Sequence, residues 1–259
     1  MNRLKIMSVM FLVMPFLDSA ADAQPLDYWT GFYAGLNVGY GWSGQAVEVS
    51  GIGPGTPSST LADDPSGVIG GAQVGYNHRI GWIVLGAEAD FQGASISATQ
   101  AVSTTRTLLS STGILTLQSR TTAEQDLNFL GTLRGRIGVV PWNPLLLYGT
   151  GGFAYGHVSL SGTLVEARRL MQGMGGITSE DALAGSRSGV ETGWTVGGGA
   201  EYRFAERWSV KAEYLHYDLG TASASLAISR PTFSGTSFPR TLSTDFKGNI
   251  VRVGVNFRF

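Results

Sequence analysis

Gly248-Asn249-Ile250-Val251-Arg252-Val253-Gly254-Val255-Asn256-Phe257-Arg258-Phe259 closes the chain, and from Val251 onward it alternates without a break. An extended backbone sends successive side chains to opposite faces. Val251, Val253, Val255, Phe257 and Phe259 therefore share one face. Arg252, Gly254, Asn256 and Arg258 share the other. One face suits an apolar solvent and ends in aromatics. The opposite face carries charge and glycine.

The same two-faced pattern recurs upstream. Gly31 to Trp42 puts Phe32, Leu36, Val38, Tyr40 and Trp42 against Tyr33, Asn37 and four glycines. About Val68 to Asn77, Val74 and Tyr76 oppose Gln73 and Asn77. About Trp82 to Gln92, Ile83, Leu85 and Phe91 oppose Glu88, Asp90 and Gln92. Leu127 to Val139 sets Phe129, Leu133 and Ile137 against Asn128, Thr132, Arg134 and Arg136. About Leu145 to Tyr155 is a fifth segment, apolar on both faces at its start. Thr192 to Phe204 and Trp208 to about Asp218 complete the set, with Glu201, Arg203, Lys211 and Glu213 on their polar face. Eight such segments of about ten residues are the signature of a transmembrane β-barrel. The fold expected is all-β, an eight-stranded antiparallel up-and-down transmembrane β-barrel with long extracellular loops.

Composition agrees. The 259 residues contain 37 glycines and no cysteine, and the formal charge is −1. Without cysteine there is no disulfide framework, thiolate zinc site or thiol nucleophile. Without a basic block there is no sign of a nucleic-acid partner. Residues 1–23 read as a signal peptide, with Arg3 and Lys5 before an apolar run from Ile6 to Leu17 and Ala21-Asp22-Ala23 as the cleavage site. Residues 24–259 are then the barrel domain.

Connections alternate in length. Short turns fall near His78-Arg79-Ile80-Gly81, Pro141-Trp142-Asn143-Pro144 and Ala205-Glu206-Arg207; long connections fall near 44–66, 94–126, 157–191 and 220–246. Short periplasmic turns with long extracellular loops are the outer-membrane arrangement, and an even strand count leaves both termini periplasmic. Trp29, Trp82, Trp142 and Trp208 at the short-turn ends, with Trp42 and Trp194 at the other, form the expected aromatic girdle. Residues 103–122 are expected to project as a hairpin, with a turn at Ser111-Thr112-Gly113. The third long connection mixes Glu166, Arg168, Arg169, Glu180, Asp181 and Arg187 with Leu170, Met171 and Met174.

Glu88, Asp90, Arg134, Arg136, Glu201, Arg203, Lys211, Glu213 and Arg252 all point to the interior. Counting from the short turns places Glu201 opposite Lys211 and Gln73 near Glu88. Glu88, Arg134, Glu213 and Arg252 fall at one depth, as a ring of opposite charges, with Arg136, Arg203 and Arg258 below. Two functions are open to such a ring: a salt-bridged plug, since buried charges need partners, or an ion-selective pore. An interior of eight strands is just wide enough for side chains, which favours the plug.

Chemistry has few candidates. His157 and His216 lie toward the extracellular ends of their strands with Tyr155, Tyr214 and Tyr217 nearby, so haemin is a candidate ligand there; as side chains of the aromatic girdle they need no ligand. His78 sits in a short turn. No nucleophile–base set and no metal-ligand spacing is present. The glycine runs at 197–199 and 149–152 lie inside strands and are not phosphate loops. No enzyme and no metal are expected.

Arg252, Gly254, Phe257 and Phe259 resemble the C-terminal sorting signal that barrel-assembly machinery recognises. Together with Gly31-Phe-Tyr-Ala-Gly-Leu-Asn-Val-Gly-Tyr40, Gly131-Thr-Leu-Arg-Gly-Arg-Ile-Gly138, Leu147-Tyr-Gly-Thr-Gly-Gly-Phe-Ala-Tyr-Gly156 and Trp208-Ser-Val-Lys-Ala-Glu-Tyr214, it makes the chain similar to the porin-like outer-membrane surface antigens of alphaproteobacteria, with an OmpA-like barrel. The resemblance implies a structural, surface-antigen role in the envelope, with outer-membrane lipids, lipopolysaccharide and the assembly machinery as partners and a monomer as the working unit. Members of that family are also described as narrow porins and as haemin binders.

Overall fold

A computed structural model describes residues 28–51, 59–62, 64–110, 113–172, 175–230 and 240–259. The expected signal peptide, residues 1–23, lies outside them. Ten strand segments follow one another: β1 Gly31–Trp42, β2 Ala46–Gly51, β3 Ser59–Ala62, β4 Ser66–Ile80, β5 Ile83–Ser110, β6 Gly113–Trp142, β7 Leu145–Gln172, β8 Gly175–Arg203, β9 Trp208–Arg230 and β10 Arg240–Arg258. All pair antiparallel, each with its neighbour, and β10 returns to β1 and closes the ring.

Ten segments make eight barrel strands. Trp42 faces Asn249 and Glu48 faces Ser243, so β2 carries the β1–β10 register on unchanged. Likewise Trp42 faces Ser66 and Ala46 faces Ala62, so β3 and β4 are one strand. The interruption is bridged where the Ser43 amide donates to the Pro65 carbonyl at 2.9 Å.

Beyond the expected strand ends the chain stays extended and paired: the hairpin expected at 103–122 is there, and the connection at 157–191, expected as a loop, is a hairpin too. β5 and β6 stay paired to Ser110–Gly113, and β7 and β8 to Gln172–Gly175. The physical reason is legible afterwards: past the aromatic residues the outward positions turn to serine and threonine while the inward ones stay apolar. Alternation persists with less contrast, and threonine suits a strand. Of the expected turn at 111–113, Ser111 and Thr112 lie outside the described residues, and Gly113 opens β6.

Near the membrane the wall is closed. Farther out it divides. β4–β5 pairing stops at Ser66–Ser97, and β8–β9 pairing is interrupted between Trp194–Asp218 and Ala184–Ala227. β5 to β8 then face β9, β10, β2 and β3 as two sheets. Between them lies an apolar core that includes Val47, Leu61, Leu160, Leu215, Leu242 and Phe246, with Leu164, Leu183 and Leu226 above. Arg240 Nη2 to Glu166 Oε1 at 2.6 Å ties the two sheets together.

Three further positions correct the sequence reading. Trp29 is not in the girdle: it is 1% exposed, packed inside the short-turn end of the barrel with Val84, Val140, Leu146 and Tyr148. It shares parity with Gly31 and Tyr33, and so faces inward; its proximity to a short-turn end misled. Asn128 turns outward, because a bulge between Leu127 and Phe129 shifts β6 by one residue and buries Leu127 instead. Gln73 lies opposite Asp90, and Gly75 opposite Glu88. The β4–β5 turn is only Gly81-Trp82, between paired Ile80 and Ile83, so its centre lies farther along the chain than the expected turn at 78–81 and the register moves by two residues. Gly81 has φ +63°, a conformation that glycine adopts without a Cβ penalty. The fifth segment's double apolar face is also explained: Leu146 is buried beside Trp29, while Leu147 faces out.

Candidate functional site in the barrel interior

The interior is filled from one end to the other. At the short-turn end Trp29 forms the floor, and the Arg258 guanidinium carbon lies 5.2 Å from its ring centre. Arg203 stacks on Tyr28 at 3.4 Å and lies outside the ion-pair cluster in which the sequence placed it. Its two-residue offset from Glu201 toward the turn brings it to the rim.

One layer up, Arg136 is held by Glu201 and lies 3.5 Å over the Tyr148 ring. Glu201 also accepts from Ser209 at 2.6 Å and from Asn256 at 3.1 Å. Gln73 donates to Asn256 at 2.6 Å, and Asn37 to Gln73 at 2.9 Å. Glu201 faces Lys211 across β8–β9, as counted.

Above this lies the charged belt. Arg134 reaches Asp90 at 2.8 Å, Glu88 at 2.5 Å and Glu213 at 3.0 Å. Arg252 reaches Asp90 at 3.0 Å and Glu213 at 2.5 Å. Lys211 meets Glu88 at 2.9 Å, and the Tyr33 hydroxyl donates to Glu88 at 2.8 Å. Thr132 accepts from Arg134 at 2.9 Å. Four carboxylates thus meet four cations, all buried. Charges removed from water persist only when paired and hydrogen-bonded, and here each acid has at least two polar partners.

Sequence reasoning placed the acids and bases on the inward face but did not single out Tyr33, Ser209 or the Asn37–Gln73–Asn256 chain. Nor did it find the apolar layer above the belt, where Ile69, Leu130, Leu215 and Ile250 are each 0% exposed. The signal was available: Leu215 has the parity of Lys211 and Glu213, two steps farther up the same strand. This layer, in which Gln92 stands opposite Leu130, lies over a neutralised ion cluster.

The histidines do not converge. His157 faces Val190 and His216 faces Val196 on the strand between them. Six residues of strand separate the two levels by about 20 Å, too far for one haem iron. His157 stacks on Phe129 and is hydrogen-bonded to Asn128 and Ser188; His216 is bonded to Asn249 beside Trp194. Both serve as polar aromatic side chains on the outer wall.

That wall completes the picture. Phe32, Leu36, Val74, Leu133, Ile137 and Val253 are exposed although the interior is full. Trp42, Trp82, Trp142, Trp194 and Trp208 are exposed with them, at the ends of the apolar band. In water such a surface is untenable; in a bilayer it is the required one. Fold and wall together define a transmembrane β-barrel.

Residues 10–259 match the family model described as the outer membrane protein beta-barrel domain. The chain is 33% identical over 247 residues to the 31 kDa outer-membrane immunogenic protein of Brucella melitensis, covering 93% of this chain and 89% of that one. It is 27% identical over 253 residues to a 22 kDa outer membrane protein of Rhizobium leguminosarum, covering 92% and 82%. Among solved structures, OprG of Pseudomonas aeruginosa aligns with a TM-score of 0.46 at 12% identity, covering 89% of this chain and 96% of that one. The chain belongs to the outer-membrane protein β-barrel domain family, alongside these outer-membrane proteins of Brucella and Rhizobium, and is an integral protein of the outer membrane.

Proposed function

We propose that the protein is a non-enzymatic structural element of the outer membrane, with a sealed barrel that displays its long hairpins at the cell surface as antigens. The observation that carries this is the lumen: a neutralised belt around Arg134 and Glu213 under a layer of buried apolar side chains. The names of the relatives, outer-membrane immunogenic proteins, support surface display. The buried acids are all committed to ion pairs or hydrogen bonds, which supports the non-enzymatic reading. The hairpins face outward, the short turns and both chain termini face the periplasm, and the barrel works as a monomer in contact with lipopolysaccharide after insertion by the assembly machinery.

A deletion strain tests the role. Greater detergent sensitivity with unchanged uptake of small solutes is expected. Reduced solute uptake with intact detergent resistance contradicts it, and would favour a narrow porin.

A further inference from the structure

Above the aromatic boundary the outward face changes chemistry. On β7 the outward row passes from Phe153 and Tyr155 to Ser159, Ser161 and Thr163. On neighbouring strands the hydroxyls form cross-strand pairs, Ser159 with Ser188 at 3.2 Å and Ser223 with Ser243 at 3.1 Å. This collar continues the lipid-facing wall directly, so its neighbour in the membrane is whatever stands above the acyl chains.

One part of the collar is concave. Between β6, β7 and β8 lies an open groove of about 420 Å³, floored by Gly162 and Gly185 and lined by Thr122, Glu124, Ser161 and Ser186. Ser161 is six residues beyond Tyr155, about 20 Å along the strand. With a barrel-strand tilt of about 40° that is roughly 15 Å above the aromatic boundary. No lysine or arginine lines the groove, and the charge it holds is the Glu124 carboxylate. On β6 the next outward positions are Asp126 toward the membrane and Arg120 away from it. Within the groove's own lining phosphate meets only like charge, whereas a neutral polyol is matched by hydroxyls that donate and accept and by a carboxylate that accepts strongly.

We propose that this groove seats uncharged sugars of the surrounding outer-leaflet glycolipid. Ser161, Ser186 and Thr122 exchange hydrogen bonds with the sugar hydroxyls, and Glu124 accepts from one of them. The proposal rests on membrane embedding alone and is independent of whether the lumen conducts.

The test compares thermal unfolding of the purified full barrel in three bilayers: phospholipid alone, lipopolysaccharide truncated to lipid A with its first sugars, and lipopolysaccharide with its full core. The wild type is expected to unfold about 2–4 °C higher with the full core than with the truncated form, the shift expected from about one net hydrogen bond. Ser161→Val/Ser186→Val keeps strand propensity. It is expected to match wild type in phospholipid, which certifies its fold, and to lose the increment. An increment that survives in the double variant overturns the proposal. So does one abolished by EDTA, which would mean a divalent cation bridging carboxylate to phosphate, and so does the absence of any increment in wild type.

Discussion

Arg134 on β6 and Glu213 on β9 stand three strands apart around the barrel and meet inside it at 3.0 Å. Their contact spans the lumen and does not follow the wall. Arg134 also holds Glu88 and Asp90, so its removal leaves carboxylates buried without full compensation. Arg134→Ala is expected to destabilise the folded barrel by about 3–5 kcal/mol. Val253→Ala, on the lipid-facing wall, is expected to cost about 1–1.5 kcal/mol. Equilibrium unfolding in denaturant, with folded and unfolded forms separated by gel mobility, measures both. Equal costs would deny the belt its structural weight.

Trp29 is a core residue of the short-turn end. Trp29→Ala is expected to cost about 3–5 kcal/mol, as large-to-small changes in packed interiors do. Trp82→Ala, at a 65% exposed position, is expected to cost far less in detergent micelles. Unfolding curves of the two variants decide the ranking, and the reverse order would return Trp29 to the girdle.

How much of this was legible in the sequence depends on which signal each residue carries. Period-two alternation is local and strong, so the eight strands and the inward charges could be read directly. Depth follows from counting along strands, so Glu88, Arg134, Glu213 and Arg252 could be grouped before any contact was known. Register is less secure, because it depends on where the turn is centred: a turn at Gly81-Trp82, later than the 78–81 expected, moves Gln73 from Glu88 to Asp90. A bulge is invisible to alternation, hence Asn128. Beyond the membrane 103–122 reads as a hairpin, whereas 157–191 reads as a loop because its outward residues include serine and threonine, which are also turn residues. Trp29 was misplaced by position when its parity already told the answer.

Asp245, on the outer rim of β10, accepts from the Thr221 hydroxyl at 2.6 Å and from the Lys247 ammonium at 3.1 Å. These contacts hold its carboxyl below the usual carboxylate value. A depressed folded-state pKa stabilises the fold above the unfolded-state pKa, about 4. The contribution is lost as pH falls through the folded value. Asp245→Asn is therefore expected to flatten the acid limb of the stability profile below about pH 4 and to leave its slope near neutrality unchanged. Unfolding midpoints measured from neutrality downward through the unfolded-state value, about 4, test this. An unaltered acid limb would contradict it.

Orientation has a clean assay, because the chain has no cysteine. Ser103 lies on the β5 extension and Glu206 in the β8–β9 turn. In intact cells Ser103→Cys is expected to react with a membrane-impermeant thiol reagent, and Glu206→Cys to react only after the outer membrane is permeabilised. The opposite pattern would invert the barrel.

The central claim is that ion pairs and apolar packing seal the lumen. Planar-bilayer recording of the purified, folded protein tests it most directly. The account predicts no steady conductance above that of the protein-free bilayer, and brief openings only in Arg134→Ala. Stable, long-lived porin-like channels in the wild-type protein would contradict it.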